Sequence, residues 1–477
     1  MRISAKILRA SLLVLLLLGT NIASASDGLT LVDAAERGDY AAVHSLLNAG
    51  TTTNTTRVDD TGALIWAAHN NDLEMVELLL DAGSNVTSTN EYGATALYVA
   101  ASDADVAITE KLLSAGADPN IALLSGETAL MEASRRGKIE TVRLLLNSGA
   151  DPNAHETIGG QTALMWASSE RHPDVAALLI ANDADILVRS TGGSTALMFA
   201  AQQGAANTAQ ILIDAGANPN ELMSDTALTP LLIAGAMGHG NVVTVLLAEG
   251  ADPNAVDNEG FTSLHYVATN KNGLGMVNEL LAYGADPNIR LRQERRTEFA
   301  ASGVAWEGAT PLLYAAEINN LETIKALVNG GADPLIPTDQ GTSALVFAAG
   351  GGTDLSRPRP LEERATAVET AKFLVEHGED VNRDGQFGWA PVHAASYQGL
   401  NDVIEYLVSV GADPDQMDGF GQTALSISNA VITEGIGAAY YQAARVFRRD
   451  TADLLVSLGA TPLEDSAVAQ LTQRATD

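Results

Sequence analysis

Apolar residues along this chain come in short bursts divided by polar turns. Between residues 128 and 147, Ala129, Leu130, Met131 and Ala133 precede Gly137, and Ile139, Val142, Leu145 and Leu146 follow at helical spacing. The pattern predicts two short antiparallel helices joined by a glycine-containing turn. It then recurs: Thr95-Ala96-Leu97, Thr128-Ala129-Leu130, Thr162-Ala163-Leu164 and Thr195-Ala196-Leu197 stand 33, 34 and 33 residues apart, and Thr229-Pro230-Leu231 and Thr262-Ser263-Leu264 continue the series. A fixed period of this size is the signature of a repeat architecture.

The punctuation agrees with helix physics. Gly149-Ala150-Asp151-Pro152-Asn153 closes a second helix, since glycine permits a left-handed stop and Asp, Pro and Asn direct an extended turn. The recurring threonine stands where the next helix begins and can cap free backbone N–H groups, while Pro230, Pro311 and Pro391 suit a first helical turn. Gly-Ala-Asp-Pro recurs at 116–119, 149–152, 250–253, 284–287, 331–334 and 411–414. With the Thr-Pro-Leu starts, the Leu-Leu second helices and the period, it resembles the ankyrin repeat family over about residues 28–464. The resemblance implies an all-α solenoid of about twelve helix-turn-helix repeats joined by hairpin fingers. Units are expected to begin near Gly28, Asp60, Tyr92, Ser125, Gly159, Gly192, Thr226, Glu259, Glu307, Gln340, Phe387 and Phe420.

The period breaks three times, all in the C-terminal half. Long inserts are expected near 290–306, enlarging one finger, near 350–364, between two helices, and near 433–449, where Ala438–Leu458 reads as a lengthened helix. Arginines gather there: Arg290, Arg292, Arg295 and Arg296; Arg357, Arg359 and Arg364; Arg445, Arg448 and Arg449. Such clusters either pair with neighbouring carboxylates or bind an anionic partner.

Composition adds location and sign. Arg2, Lys6 and Arg9 precede the apolar run Leu12–Leu18 and the small residues Ala23-Ser24-Ala25, the pattern of a cleaved secretory signal over residues 1–25. The expected mature chain is then the array at 26–464 and a polar tail at 465–477, periplasmic or secreted and not inserted in a membrane. There is no cysteine, which removes disulfides and thiolate metal sites together. A net charge of −32 repels phosphate backbones and argues against nucleic acid as a partner.

No compact metal pattern links the eight histidines, and no cofactor motif appears. His265 and His393 fall where the resemblance implies a structural histidine that bridges neighbouring turns. The Gly-Ala-Asp-Pro carboxylates repeat once per unit, as turn residues do, whereas an active site is singular. The expectation is therefore a monomeric, non-catalytic scaffold without cofactor that takes a protein or peptide on its concave face. The alternative is a receptor for an envelope glycan or small ligand.

Aromatics divide into two sets. Trp66, Trp166, Phe199, Tyr266, Tyr314 and Phe347 follow the first-helix leucine by two residues and are expected in the core. Tyr92, Phe261, Trp306, Phe387, Trp389, Tyr397 and Phe420 occupy finger tips or first-helix ends, where no core is expected, and six of these seven lie in the second half. The candidate partner-binding residues are Phe261, Trp306, Phe387, Trp389, Tyr397 and Phe420, overhung by Arg290, Arg292, Arg295 and Arg296.

Overall fold

A computed structural model of the 477-residue chain describes residues 29–103, 105–292, 305–351, 361–429 and 447–463. Among these, 24 α-helices form twelve successive pairs, the all-α repeat architecture expected from the period. Contacts divide the chain into two units, one up to Leu124 and one from Ser125 onward, with Asn147–Ala150 grouped with the first. The first unit holds three pairs, from Leu31–Glu36 and Tyr40–Asn48 to Ala96–Asp103 and Val106–Ser114. The second holds nine, from Ala129–Arg135 and Ile139–Asn147 to Ala424–Ser428 and Arg449–Ser457.

Helices of nine residues or fewer, as nearly all of these are, are too short to persist alone, so packing has to hold them. First helices are buried on nearly all sides: in Ala129–Arg135 the residues Ala129, Leu130, Met131 and Ala133 are in the core, and the alanines let neighbouring helices approach closely. Second helices bury one stripe, such as Val142 and Leu145 in Ile139–Asn147. The expected threonine caps form at Thr128, Thr162, Thr229 and Thr262, where Oγ1 accepts a backbone N–H three residues on. Gly250 takes φ +82 at a second-helix end, a conformation in which a Cβ would be strained.

The asparagine that ends Gly-Ala-Asp-Pro-Asn joins one repeat to the next. Asn254 Oδ1 accepts the N–H of Asp286 at 2.7 Å, and its Nδ2 donates to the Gly284 carbonyl at 3.1 Å. Asn153, Asn220, Asn288 and Asn382 make equivalent pairs of bonds. Fingers are linked as well, as in Asn258 N–H to the Thr226 carbonyl (3.2 Å) and Asp339 N–H to the Glu307 carbonyl (2.7 Å).

Histidines are structural in two ways. His265 and His393 are fully buried; Nδ1 accepts the N–H of Thr262 or Ala390, and Nε2 reaches Ala309 O or Gln416 O in the following repeat. Burial pushes His265 down to about 4. His172 and His239 instead precede second helices and bond the carbonyls of Arg135 (3.1 Å) and Gln202 (3.0 Å) in the repeat before.

The inserts differ in part from expectation. The finger insert begins as an extended pair, with Leu291 N–H to Ala309 O at 3.0 Å, and residues 293–304, with Arg295 and Arg296, lie outside the described residues. The second insert does not simply separate two ordinary helices. Its first helix is cut to Ala344–Val346 and runs into a π-turn over Phe347–Gly351, while its second helix, Leu361–Glu376, has 16 residues where the others commonly have 9. Of the expected helix Ala438–Leu458 the structure describes the ordinary Arg449–Ser457, preceded by a non-helical Arg448 (φ −114°, ψ 78°), and residues 430–446 lie outside the described residues. Arg357, Arg359 and Arg445 are outside the described residues.

Candidate functional site

Within the second unit the two aromatic sets meet. Phe261 lies 5.2 Å from Tyr266 and 5.7 Å from Tyr314, ring centre to ring centre, and Trp306 stacks at 4.4 Å on both Tyr314 and Phe347. The Tyr266 hydroxyl donates to Asp257 Oδ2 at 2.6 Å, and the other oxygen of that buried carboxylate accepts the N–H groups of Glu259 and Phe261. Finger and first-helix aromatics thus form one ladder that joins repeat to repeat.

This corrects three exposure expectations. Phe261, Trp389 and Tyr397 are buried, Phe261 against Tyr314 of the next repeat. Trp389 packs on Tyr397 at 5.7 Å, and burial pushes the Tyr397 hydroxyl up to about 12. Trp306 is half-buried between its two stacking partners. The expected core stripe errs the other way: Trp66 and Phe347 are buried, whereas Trp166, Phe199, Tyr266 and Tyr314 are half-exposed.

Phe387 and Phe420 behave differently. Phe387 is 41% exposed and its ring lies 5.7 Å from that of Phe420, itself half-exposed. The Phe387 carbonyl accepts Gly419 N–H at 2.6 Å, which sets the two fingers side by side, and Met417 nearby in the chain is 67% exposed. Phe387 has φ +62 and Gly388 φ +73, closed by Trp389 N–H to Gln386 O at 3.3 Å. Two successive left-handed residues make a turn that prefers Asn, Asp or Gly at its first position, so a phenylalanine there is strained. Gln386, which sequence reasoning passed over, accepts the N–H of Ala305 at the base of the finger insert (2.6 Å).

The finger arginines do not all face outward. Arg290 pairs with Asp339 (2.7 Å) and also donates to the carbonyls of Gly308 (2.9 Å) and Pro337 (3.0 Å), so it fastens the insert to the next finger. Arg292 is exposed, and its backbone N–H bonds Glu259 O. Among the described residues no cluster of His, Asp and Glu could hold a metal ion.

The model for ankyrin repeats in three copies matches residues 31–122, 104–190, 130–222 and 197–291, and the single-repeat model matches 307–339 and 387–419. The chain belongs to the ankyrin repeat family. It is similar to the putative ankyrin repeat protein L86 of Acanthamoeba polyphaga mimivirus, at 30% identity over 25% of this chain and 22% of that protein. It also resembles protein phosphatase 1 regulatory subunit 27 of Homo sapiens, 42% identical over 10% of this chain and 31% of that one, and the potassium channel AKT1 of Arabidopsis thaliana, 37% identical over 19% and 9%. In each case the match spans less than a third of the relative's length. Ankyrin repeat arrays are protein-interaction scaffolds, and that is the class of function the family supplies here. No helix among the described residues is long and apolar enough to cross a membrane.

Proposed function

We propose that this ankyrin chain is an exported, non-catalytic scaffold that captures a protein or peptide partner on the fingers of its C-terminal repeats. Phe387 carries the reading. A bulky residue held in the left-handed region costs on the order of 1–2 kcal/mol, and glycine would hold the same turn without that strain. What the strain supports is an aromatic side chain left 41% exposed, stacked on Phe420 and fixed on a rigid finger. Large aromatics presented rigidly bury much area on binding at little entropic cost. The basic, apolar and small-residue succession of residues 1–25 supports export.

The test uses the mature chain as bait in an extract of the cell envelope, with Phe387→Gly and Phe387→Ala beside wild type. Both variants should lower partner capture at least tenfold, equivalent to about 1.4 kcal/mol. Phe387→Gly should do so while unfolding at an equal or higher urea concentration than wild type. Undiminished capture by both variants would place the partner elsewhere.

A further inference from the structure

In four repeats the chain caps the start of its own second helix. Asp39, Asp72, Asp105 and Asn320 stand just before the helix, and each side chain accepts a first-turn N–H, from Ala42 (2.9 Å), Met75 (3.0 Å), Ala107 (3.0 Å) and Thr323 (3.3 Å). Before Ala206–Asp214 that place falls to Ala205, whose side chain has no oxygen to offer. The N–H groups of Ala206, Asn207 and Thr208 meet no acceptor among the described residues. A helix start left open in this way presents partial positive charge. The flanking repeats supply no carboxylate either: their capping places hold His172 and His239, whose Nε2 atoms are engaged by carbonyls of the repeat before.

The open helix start lies in a hollow. A cavity of about 230 Å³ is walled by Arg171, Ala205, Ala206, Asn207, Thr208 and Asn241, all within the second unit. Asn241 closes one side, its Nδ2 donating to the Gly204 carbonyl at 3.4 Å. Thr208 is only 1% exposed, yet its Oγ1 is buried with no hydrogen-bond partner. Val175 and Val242 fill the same buried place in the adjoining repeats, so packing does not call for a hydroxyl there. Thr109 and Thr323 have hydroxyls equally without a partner, but in their repeats Asp105 or Asn320 already occupies the helix start. A buried hydroxyl costs free energy until an acceptor meets it.

Arg171 supplies the charge. It is exposed and forms no ion pair with a described residue, in a chain with 59 acidic residues. Neither Glu170 nor Asp174, close to it in sequence, belongs to the cavity wall. Its φ is +63, at a place where Gly38, Gly137, Gly204, Gly238 and Gly399 take φ between +66 and +76. A long side chain there is strained where glycine is not.

We propose that this hollow is an oxyanion site. A carboxylate or phosphate group accepts the N–H groups at the start of Ala206–Asp214 and the Thr208 hydroxyl, and the Arg171 guanidinium balances its charge. Such a group does from outside what Asp39, Asp72 and Asp105 do from within the chain. The site lies at second-helix starts, apart from the Phe387 finger, and does not depend on the reading given to that finger.

The full-length mature chain is melted in sodium acetate, in sodium phosphate and in sodium chloride at matched ionic strength. Acetate or phosphate should raise the midpoint above chloride by roughly 1–3 °C at concentrations about tenfold above its dissociation constant. A rise in acetate alone identifies a carboxylate site, and a rise in phosphate alone a phosphate site. The variants are borrowed from the chain's other repeats. Arg171→Gly and Thr208→Val should melt at or above the wild-type midpoint in chloride and lose at least half of the rise. Ala205→Asp should melt above wild type in chloride and show no rise, because its own carboxylate fills the place; the Ala205 backbone (φ −85, ψ 70) is close to that of Asp39 (φ −86, ψ 84). A wild type that responds to neither anion, or variants that keep the full rise, would overturn the site.

Discussion

At Glu379 a single residue departs from the repeat in a way that sets a pH response. Ala150, Ala251, Ala285, Ala332 and Ala412 fill the buried place after the second-helix glycine, and here a glutamate fills it. Its Oε1 accepts the N–H of Ala344 at 3.1 Å and so caps the shortened helix Ala344–Val346, while Oε2 is buried with no hydrogen-bond partner. Burial outweighs the bonds from Ser343 and Ala344 and pushes the carboxyl up to about 7. A carboxyl raised from 4.5 to about 7 on folding binds its proton in the folded state first, so it costs stability as pH rises across that window. His265 works in the opposite sense: held at about 4 against 6.5 unfolded, it costs stability as pH falls across its own window. Each span corresponds to roughly 3 kcal/mol, and between about 4.5 and 6.5 the two slopes oppose each other. Glu379→Ala should therefore be more stable than wild type at pH 8, by about 1–2 kcal/mol after loss of the cap. It should also uncover a stability that climbs with pH between 4.5 and 6.5. Urea unfolding at pH 5, 6.5 and 8 checks both, and an equal loss at every pH would mean that the cap matters more than the buried charge.

The repeat element was legible because its determinants are local. Threonine before the first helix, glycine in each turn and Gly-Ala-Asp-Pro-Asn at the close act within a few residues of themselves, and spacing alone registers them. Asn254 shows where that legibility stops: the motif is visible in the sequence, but the bond to Asp286 in the next repeat is a property of the stack. The burial of the finger aromatics depends likewise on packing between side chains distant from the local motif. Phe261 meets Tyr314 of the next repeat and Trp389 meets Tyr397 of its own, contacts that the period does not rank, whereas Phe387 is left 41% exposed on its turn. A direct consequence concerns Leu335, which takes the place of the bridging asparagine after Gly331-Ala332-Asp333-Pro334. Its side chain is 41% exposed and lies 3.7 Å from where a Cβ on Gly378 would stand, beside the backbone groups that an asparagine would bond. Leu335→Asn should add the two missing bonds, to Asp380 N–H and the Gly378 carbonyl, and raise stability by about 1 kcal/mol in urea unfolding. A loss would show that the leucine packs more usefully than the ladder binds.

For the molecule as a whole the dominant long-range term is charge. Basic residues number 27 against 59 acidic, and several of the ion pairs among the described residues are solvent-exposed, as in Lys111 with Glu77 or Lys325 with Glu322. Exposed pairs of this kind contribute about 0–1 kcal/mol each, so they do not offset the mutual repulsion of the surplus carboxylates. That repulsion acts between neighbouring repeats, which stand within reach of one another at low ionic strength, when the screening length is about 30 Å, and less so at about 8 Å under physiological salt. Raising sodium chloride from low millimolar to physiological strength should therefore increase the thermal midpoint by several degrees, with little further gain once screening falls below the spacing of the repeats. A midpoint that fell as salt was added would mean that ion pairs such as Arg290 with Asp339, and not the surplus of carboxylates, govern how the repeats hold together.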